Sequence, residues 1–352
     1  MKYAELFSGI GGFRNAADHI SQDTNVKLKC VGFSEIDQYA IATYSNNYKL
    51  NGETRMQDIT QFVEDNKQIK LMDDIDLLLG GFPCQSFSLL GKKLGLEDER
   101  GKILFSIDKL LKKKKPEFVV LENVRNIIRH DKGNTLNEIL KFFKDHSYKY
   151  TNYVILDTQH FGLPQKRARI FFVCSKKPMD IDLTDTAIIE NFKKIKNHSL
   201  TTYKTVLEIL EKEVDKKYYL SERIKHTILD GGTKTFWSKS QIDLDIARTL
   251  TATMVKMHRA CQDNYYSDDY IQKGKSHKDT AKEILFKKPV RRLTPKEALQ
   301  LQGFSKSFYN KAISAGVSEH QLYKQAGNAL SVNTGYALLH YLFVHLKIQN
   351  AK

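Results

Sequence analysis

Short apolar runs alternate with amphipathic stretches over the first half of the chain, and this alternation limits the fold more than any other feature of the sequence. The runs are rich in Val, Ile, Leu and Phe, which is typical of strands buried on both faces. They lie at residues 3–7, 30–33, 75–79, 118–121, 153–156 and 170–174. Helix candidates lie between them at residues 13–20, 38–47, 102–115 and 135–146. Strands that alternate with helices predict an α/β fold with a doubly wound, mostly parallel sheet.

The pattern changes after residue 178, where the sequence becomes polar, Lys-rich and irregular up to about residue 289. We expect a second, smaller domain of mixed short elements there. Helical patterning then returns, because Thr294 can cap a helix, Pro295 suits its first position and Glu297 completes a capping box. A last apolar helix is expected to pack back on the sheet. The predicted domains are therefore 1–178 plus 318–352, and 179–317.

The chain has 352 residues, and 56 Lys and Arg against 41 Asp and Glu give it a net charge of +15. A hydrophobic fraction of 41% is enough for a packed core and excludes a largely disordered chain. No run approaches the roughly 20 apolar residues that span a bilayer, and the start lacks the pattern of a secretory signal. Four cysteines without a CxxC pair argue against a disulfide framework or a zinc site. We expect a cytoplasmic protein without a metal, and the positive charge fits a nucleic-acid partner.

Clustered glycines follow the first strand and open the first helix. Gly9 and Gly11 would let the backbone pass close to a ligand, and a helix N-terminus favours negative charge. About twenty residues further on, Glu35 ends the second strand, where an acidic side chain can accept hydrogen bonds from ribose hydroxyls. Asp58 and Ile59 follow the next helix and could read an adenine edge. Together these features favour a nucleoside-type cofactor, and they do not separate a dinucleotide from S-adenosylmethionine.

One cysteine lies in a loop directly after the strand at residues 75–79. Cys84 is flanked by glycine, proline and polar residues, whereas Cys30 and Cys174 lie within or at the end of apolar runs. Most cysteines behave as small buried hydrophobes, but a loop at the ligand-facing edge of a sheet is a setting for a reactive thiol. We therefore interpret Cys84 as a candidate nucleophile.

Charged residues lie at the ends of two further strands. Glu122 closes the run at residues 118–121, and a carboxylate there, level with the loop cysteine, is expected to be functional rather than a solvated surface group. Arg167 and Arg169 lead into the run at residues 170–174 and share one strand face by their period-two spacing. Two guanidinium groups there could hold phosphates or a base carbonyl.

Taken in order, these motifs resemble one family, the C5-cytosine DNA methyltransferases, chiefly those of bacterial restriction–modification systems. The resemblance covers almost the whole chain, and each segment falls where the family has it. The matching segments are the glycine loop at 6–13, GGFPCQSFS at 80–88, RG at 100–101, LENV at 121–124, QKRAR at 165–169, RLTPKE at 292–297, LQGF at 301–304 and QAGNA at 325–329. Each is moderately specific, and the full series in order is highly specific.

The resemblance implies transfer of a methyl group from S-adenosyl-L-methionine to C5 of cytosine in DNA, with S-adenosyl-L-homocysteine as product. C5 of a neutral pyrimidine is not nucleophilic, and a thiolate that adds to C6 makes it so. Cys84 matches that thiolate and Glu122 the group that supplies or shares a proton at N3. Arg169 matches the group that binds O2, and Arg167 the neighbouring arginine of the pocket. The Phe82 carbonyl could accept from the N4 amino group, which would separate cytosine from thymine.

The resemblance further implies a Rossmann-like methyltransferase sheet with a cofactor site. The residues that would line this site are Phe7, Gly9, Gly11, Glu35, Ile36, Asp58, Ile59, Pro83, Ile103 and Asn328. Position 36 is Ile where some relatives place a Trp against the adenine, so stacking should be weaker or come from Phe7 alone. Glu5 replaces a frequent Asp and Ala329 a frequent Ser, and neither change removes a group that the chemistry requires.

The smaller domain would be a target recognition domain that reads duplex DNA, while the target cytosine is extruded from the helix. Residues 248–251 resemble the family's short Thr-Leu element, and the stretch that follows, through residue 260, is the expected recognition loop. The predicted DNA contacts are Phe82, Gln85, Ser88, Arg248, Thr249, His258 and Arg259. For His258 and Arg259, phosphate contacts or a structural role are equal alternatives.

The implied partner is double-stranded DNA, the implied location is the bacterial cytosol or nucleoid, and a cognate restriction endonuclease would be a functional counterpart. We expect a monomer and no membrane. Two interpretations stay open: a tRNA cytosine methyltransferase with the same motifs, and a DNA-binding protein with an inactive methyltransferase fold. The long region 180–290 counts against the first, and the presence of Cys84, Glu122 and Arg169 against the second. An amino methyltransferase would need acceptors around a Pro-Pro core, and a dehydrogenase would leave Cys84 unexplained.

Overall fold

The computed structural model describes residues 1–82, 99–179, 181–230, 232–233, 236–237, 241–256, 258–277 and 280–347. The chain forms two compact units. The sheet unit comprises Met1–Asp157, Ala168–Ser199 and Thr334–Lys352, and the second unit comprises Thr158–Arg167 and Leu200–Asn333. Each unit is therefore assembled from separate stretches of the sequence.

One sheet forms the frame of the sheet unit. Its strands are β1 (Lys2–Leu6), β2 (Lys29–Phe33), β3 (Thr54–Arg55), β4 (Leu77–Gly81), β5 (Phe118–Val124), β6 (Tyr150–Asp157) and β7 (Ala168–Ser175). Among the described residues, they lie in the order β3-β2-β1-β4-β5-β7-β6, and the neighbours from β3 to β5 are all parallel. β7 is antiparallel to both β5 and β6. The prediction of an α/β fold with a mostly parallel sheet is confirmed.

Helices cover this sheet: α1 (Gly12–Asp23), α2 (Gln38–Asn47), α3 (Ile59–Phe62), α4 (Asn66–Leu71), α5 (Glu99–Lys114), α6 (Asn134–Asp145) and α7 (Asp185–Lys194). Aspartate side chains cap three of them by accepting hydrogen bonds from first-turn amides, namely Asp37 at α2, Asp58 at α3 and Asp65 at α4. The helix predicted at 38–47 has the observed bounds. The sequence pattern misses α3 and α4, which are too short to show a period, and α7, which lies in the polar stretch after residue 178.

β5 shows how the two faces of the sheet are used. Val119 and Leu121 lie in a large apolar cluster on one face, whereas the ring of Phe118 packs against the C-terminal segment on the other. Because successive side chains of a strand point to opposite faces, Glu122 belongs to the face of Phe118 and Asn123 to that of Val119 and Leu121. Two neighbouring polar residues at the end of β5 therefore serve different faces.

The second unit consists of short elements, as the sequence predicts. Its helices are α8 (Glu222–Leu229), α9 (Asp268–Lys273), α10 (Lys282–Leu285), α11 (Pro295–Gln300), α12 (Lys306–Ser314) and α13 (Glu319–Asn328). Its described strands form two antiparallel pairs, β8 (Gly232–Thr233) with β9 (Phe236–Trp237) and β10 (Tyr265–Ser267) with β11 (Val290–Arg292). The C-terminal helix Val332–Leu339 follows and continues as the π-helical turn His340–His345.

The predicted capping box at α11 is present. The Thr294 hydroxyl accepts from the Glu297 amide at 3.2 Å, and the Glu297 carboxylate accepts from the Thr294 amide at 2.7 Å. Glu297 also pairs with Arg291, and both side chains are fully buried. Further hydrogen bonds offset the cost of burying such a pair. The capping box supplies one of them to Glu297, while Arg291 Nε has no hydrogen-bond partner among the described residues.

The unit boundaries differ from the predicted domain boundaries at residues 158–167, 179–199 and 318–333. α7 belongs to the sheet unit, where the Asn191 side chain contacts the His340 ring at 3.1 Å. α13 belongs to the second unit. The functional division into a methyltransferase domain and a target recognition domain stays a prediction.

Candidate functional site

The carboxyl ends of the parallel strands share one edge of the sheet, where ligands of such sheets bind. β4 pairs with β5 up to Gly81 and Glu122, and Phe82 follows directly after the last pair. β4 needs glycine here, because a Cβ at Gly80 would lie 2.6 Å from the Leu6 carbonyl oxygen of β1. The close approach of β1 and β4 brings the ends of both strands to one place.

Four predicted site residues follow Phe82 in the sequence: Pro83, Cys84, Gln85 and Ser88. They lie outside the described residues. The assignment of Cys84 as nucleophile therefore stays a prediction from the sequence.

Glu122 and Arg169 form an ion pair at the edge of the sheet. Glu122 lies opposite Phe171 in the antiparallel pairing of β5 and β7, and Arg169 is two residues away on the same face. Arg169 Nε lies 2.9 Å from Glu122 Oε1, and the two side chains are 15% and 16% exposed. The structure thus brings together a carboxylate able to exchange a proton and a guanidinium able to donate to an oxygen, both partly shielded from water.

Asn123 is a site residue that the sequence pattern does not single out. Its side-chain Nδ2 donates to the Phe82 carbonyl oxygen at 2.9 Å, and both residues are buried. The signal in the sequence is weak: a polar residue next to Glu122 at the end of an apolar strand.

The glycine loop adopts the left-handed backbone that its composition allows. Phe7, Gly9 and Gly11 all have positive φ, at 52°, 54° and 81°. A Cβ at Gly11 would lie 2.5 Å from the ring of Tyr48, so both the backbone and the available space require glycine. A Cβ at Gly9 would meet nothing within 4 Å. The backbone at Gly9 therefore faces open space that a ligand can enter.

Glu35 is held in place by backbone amides. Its Oε2 accepts from the Gly9 amide at 2.8 Å, and its Oε1 accepts from the Ile36 and Asp37 amides at 2.8 Å each. A carboxylate has about four lone-pair sites, so these bonds fix its position and leave it able to accept from a ligand hydroxyl. The Ile36 side chain beside it is 68% exposed.

The other predicted cofactor residues of the sheet unit have structural roles of their own. Asp58 Oδ1 accepts from both the amide and the hydroxyl of Thr60 at 2.8 Å. Ile59 is buried in the apolar cluster, and Ile103 of α5 packs against that cluster. A contact of Ile59 with a ligand would therefore have to come from its backbone.

These observations fit a nucleoside-type cofactor such as S-adenosylmethionine. The backbone at Gly9 is open to a ligand, Glu35 presents a fixed carboxylate, and Ile36 offers an apolar surface.

A buried carboxyl group beneath the glycine loop is a further feature that the sequence pattern does not reveal. Glu5 of β1 accepts hydrogen bonds from the Phe13 and Arg14 amides at the start of α1. Burial raises the pKa of Glu5 to about 8, although the Arg14 guanidinium acts in the opposite direction. Arg14 pairs with Glu53 at 3.0 Å. Glu5 thus joins β1 to the helix that the glycine loop opens.

Arg167 lies in the second unit, and its buried guanidinium is held by backbone carbonyls. It donates to Leu250 at 3.0 Å, to Gly327 at 3.0 Å and to Ala329 at 2.9 Å. The expectation that Arg167 and Arg169 present two guanidiniums from one strand face does not hold. Arg167 precedes β7, and its donors fix the backbone of the segments at 250 and 327–329.

Arg248 and Thr249 make contacts within the second unit. Arg248 donates to the carbonyls of Gln241 and Asp263 at 3.0 and 3.1 Å, and burial lowers the pKa of its guanidinium. The Thr249 hydroxyl donates to the Lys166 carbonyl at 2.6 Å. These contacts favour a structural role for both side chains over the predicted contact with DNA.

His258 and Arg259 are also tied to their own unit. Arg259 pairs with Asp263 at 2.8 Å and donates to the Thr251 hydroxyl at 2.6 Å. His258 Nδ1 lies 3.2 Å from the Tyr265 hydroxyl, and burial lowers the pKa of its ring. Of the alternatives that the sequence leaves open for these two residues, the geometry favours the structural one.

Asn328 is the last residue of α13, and its side chain is exposed. Its predicted contact with a cofactor stays a prediction. Within the described ranges, no group of three or more His, Cys, Asp or Glu side chains is arranged to hold a metal ion. In the same part of the chain, no helix has both the length and the apolar character needed to cross a bilayer.

Comparison with known families gives one match that spans most of the chain. A family model described as C-5 cytosine-specific DNA methylase matches residues 1–343.

Comparison with individual proteins agrees. A type II methyltransferase from Lactococcus lactis subsp. cremoris is 35% identical over 341 residues, covering 96% of this chain and 76% of the relative. A type II methyltransferase from Neisseria lactamica is 34% identical over 340 residues, covering 94% of this chain and 92% of the relative. Among solved structures, a methyltransferase from Entamoeba histolytica superposes with a TM-score of 0.74 at 22% identity, over 98% of each chain. The structural likeness supports the Rossmann-like methyltransferase fold.

Proposed function

Because the chain belongs to the family of C-5 cytosine-specific DNA methylases, we propose that it transfers a methyl group from S-adenosyl-L-methionine to C5 of cytosine within a short specific sequence of double-stranded DNA. The family makes the protein a DNA (cytosine-5-)-methyltransferase. The cofactor, the covalent route and the biological role described below are the proposed part.

One observation carries the proposal: the Glu122–Arg169 pair at the carboxyl edge of the sheet, 2.9 Å apart and partly shielded from water. Cytosine presents N3 and O2 as neighbouring acceptors on one edge of its ring. A protonated carboxyl group that donates to N3 and a guanidinium that donates to O2 must lie next to each other, as Glu122 and Arg169 do. Glu122 lies beside Gly81 in the sheet, and Cys84 follows Gly81 by three residues in the sequence, which fits a nucleophile near this pair.

We assign Cys84 the covalent step. Its thiolate adds to C6, so that an S–C6 bond forms and the C5–C6 double bond opens. Glu122 holds a proton at N3, which keeps the ring neutral as an enamine with a nucleophilic C5, and Arg169 donates to O2. Once C5 has taken the methyl group that a bound cofactor would supply, the C5 proton would pass to a base such as water, the S–C6 bond would break and the N3 proton would return to Glu122. These steps would leave neutral 5-methylcytosine and the free cysteine.

The cofactor would be held by residues of the glycine loop and the end of β2. Gly9 and Phe7 would leave the backbone open to it, Glu35 would accept from its ribose hydroxyls, and Ile36 and Asp58 would face its adenine. When bound, S-adenosylmethionine would supply the electrophilic methyl group. The fixed Glu35 carboxylate supports this assignment, because a preorganised acceptor loses little freedom on binding.

Double-stranded DNA is the proposed partner. A cytosine within a duplex is out of reach of a thiol in a protein loop, so the base must be extruded at a cost of about a few kcal/mol. The net charge of +15 supplies phosphate contacts that offset this. The type II methyltransferases among the relatives suggest protection of host DNA against a cognate endonuclease in the bacterial cytosol or nucleoid, by a protein acting as a monomer.

The test is bisulfite sequencing of DNA from cells that express the protein, with cells that express Cys84→Ala as control. The expected result is protected cytosines in one short sequence context, absent in the control. Covalent trapping on a duplex with 5-fluorocytosine at that position should give a stable complex with the natural protein alone. Methyl transfer to tRNA in place of plasmid DNA would overturn the choice of substrate, and methyl transfer by Cys84→Ala would overturn the choice of nucleophile.

A further inference from the structure

We propose that Asn123 is a positioning residue that gives the enzyme its preference for cytosine, by holding the Phe82 carbonyl where it accepts a hydrogen bond from the N4 amino group of the extruded base. The inference rests on the proposed function, since it concerns the base that the same site would take. It adds a residue to the recognition of that base.

The hydrogen bond between the two residues is well defined. Asn123 Nδ2 lies 2.9 Å from the Phe82 carbonyl oxygen, and Asn123 Oδ1 accepts from the Val124 amide at 2.8 Å. An amide donates only through nitrogen and accepts only through oxygen, so these two contacts fix which way the side chain points. Asn123 is 3% exposed and Phe82 4% exposed. The bond is therefore shielded from competition by water.

The Phe82 carbonyl lies where the sheet stops fixing the backbone. The pairing of β4 with β5 ends at Gly81 and Glu122, so the next peptide leaves the ladder. The Asn123 side chain reaches across from β5 and holds that carbonyl. A carbonyl oxygen can accept two hydrogen bonds, so the bond from Asn123 is compatible with a second one from a base.

Glu122 and Asn123 are neighbours at the end of β5, and each would serve one contact of the base. Glu122 would contact N3 directly, and Asn123 would hold the Phe82 carbonyl that contacts N4. The two side chains belong to opposite faces of β5, and Arg169 holds the first of them at 2.9 Å. N3 and N4 are bonded to the same ring carbon, C4, so a carboxyl group at N3 and a carbonyl at N4 must keep a fixed separation. Neighbouring residues on one strand provide such a separation.

A Phe82 carbonyl held in place would distinguish cytosine from uracil and thymine. Cytosine presents an N4 donor to it, whereas uracil and thymine present an O4 acceptor. Two acceptors that face each other repel, and a buried polar group left without a partner loses its hydration. A site built around a hydrogen bond rejects the analogue that lacks the donor. If the carbonyl could rotate away, this penalty would disappear.

The experiment measures single-turnover methyl transfer from tritiated S-adenosylmethionine to a synthetic duplex that carries the methylated sequence found by bisulfite sequencing. One duplex has cytosine at the target position and the other has uracil. Asn123→Ala should lower the rate on cytosine about tenfold, the usual net value of one hydrogen bond, and should not lower the rate on uracil, whose unfavourable contact with the carbonyl is relieved. The cytosine-to-uracil ratio should therefore fall by about tenfold or more.

Asn123→Asp is the second variant, because it keeps the shape of the side chain, removes the donor and should lower the same ratio. Asn333→Ala is the matched control. Asn333 is a buried asparagine of the second unit whose Nδ2 donates to the carbonyls of Phe161 and Thr201 at 2.9 and 3.1 Å. Its loss should lower the melting temperature and leave the cytosine-to-uracil ratio unchanged.

Equal losses on both bases in the two Asn123 variants would overturn the inference and leave Asn123 a purely structural residue. The same holds if the ratio falls as much in Asn333→Ala. These outcomes are distinct from failure of the proposed function, in which the natural protein itself would transfer no methyl group to the cytosine duplex.

Discussion

Two half-buried ion pairs of this protein have nearly the same geometry and different surroundings. Glu122 and Arg169 are 2.9 Å apart and about equally exposed. Asp263 and Arg259 are 2.8 Å apart, with side chains 8% and 21% exposed. The first pair joins two strands whose residues are distant in the sequence. The second joins residues four positions apart within one short segment.

The difference lies in what else each carboxylate does. Asp263 also accepts from the Arg259 backbone amide at 2.9 Å, and Arg259 also donates to Thr251 at 2.6 Å. Every one of these contacts holds a local loop together. Glu122 lies instead at the end of a strand, at the edge where parallel sheets bind ligands. An ion pair therefore says little about function by itself, and its place in the fold decides between chemistry and support.

Glu122→Gln tests the proposed role of the first pair. The amide keeps the size of the side chain and loses the proton that the reaction needs at N3, so single-turnover methyl transfer should slow by about 10²–10⁴-fold. Cofactor binding, measured by calorimetry, should change by less than about threefold, and the melting temperature should change little. An unchanged rate would place Glu122 with the supporting carboxylates.

Much of this contrast could be predicted from the sequence, and its limits have physical causes. Buried strands are continuous apolar runs, so their ends can be located in the sequence. The sequence therefore predicts that Glu122, Glu35 and the glycine loop lie at the edge of the sheet. The hydrogen-bond partners of Arg248 and Arg259 could not be predicted. Their partners are backbone carbonyls and side chains of irregular segments, and no periodicity marks such contacts in a sequence.

The buried carboxyl group of Glu5, also in the sheet unit, should make the stability of the protein depend on pH. Burial raises the pKa of Glu5 to about 8 from an ordinary value of 4.5. Between these values the folded protein binds more protons than the unfolded chain, so the contribution of Glu5 to stability is present below about pH 4.5 and is lost as pH rises towards 8. Glu5→Gln removes this titration, and its stability relative to the natural protein should rise by about 3 kcal/mol between pH 5 and pH 8.

Urea unfolding at several pH values measures this change. Glu64→Gln is the matched control, because Glu64 pairs with Lys109 at 2.7 Å on the surface, with a side chain 62% exposed. Because an exposed ion pair contributes little to stability, the change of that variant over the same window should stay well below the change of Glu5→Gln. A constant difference for Glu5→Gln would show that the Glu5 carboxyl group ionises normally in the folded protein.

For the pair of Asp263 and Arg259 we expect an effect on stability rather than on the rate of methyl transfer. Asp263→Asn should lower the free energy of unfolding by about 1–3 kcal/mol, because it leaves the partly buried Arg259 guanidinium without its charged partner. Methyl transfer at a temperature where the variant is folded should stay within about threefold of the natural rate. Chemical denaturation and a single-turnover assay on the same sample measure both quantities. A loss of rate as large as that of Glu122→Gln would mean that the two pairs do not differ in role.

The smallest expected effect concerns Arg248, which the sequence predicts to contact DNA and the structure ties to two carbonyls of its own unit. Each lysine or arginine that neutralises a phosphate adds about one unit to the slope of log affinity against log salt concentration. Removal of such a contact lowers the slope by about one. For Arg248→Ala we expect an unchanged slope together with a loss of stability, since Nη1 of the guanidinium already donates to two backbone carbonyls of its own unit. Titration of a fluorescent duplex at several salt concentrations measures the slope. A drop of about one unit would show that Arg248 contacts a phosphate. Arg259, which binds side chains of its own unit, would then be the structural residue of the two.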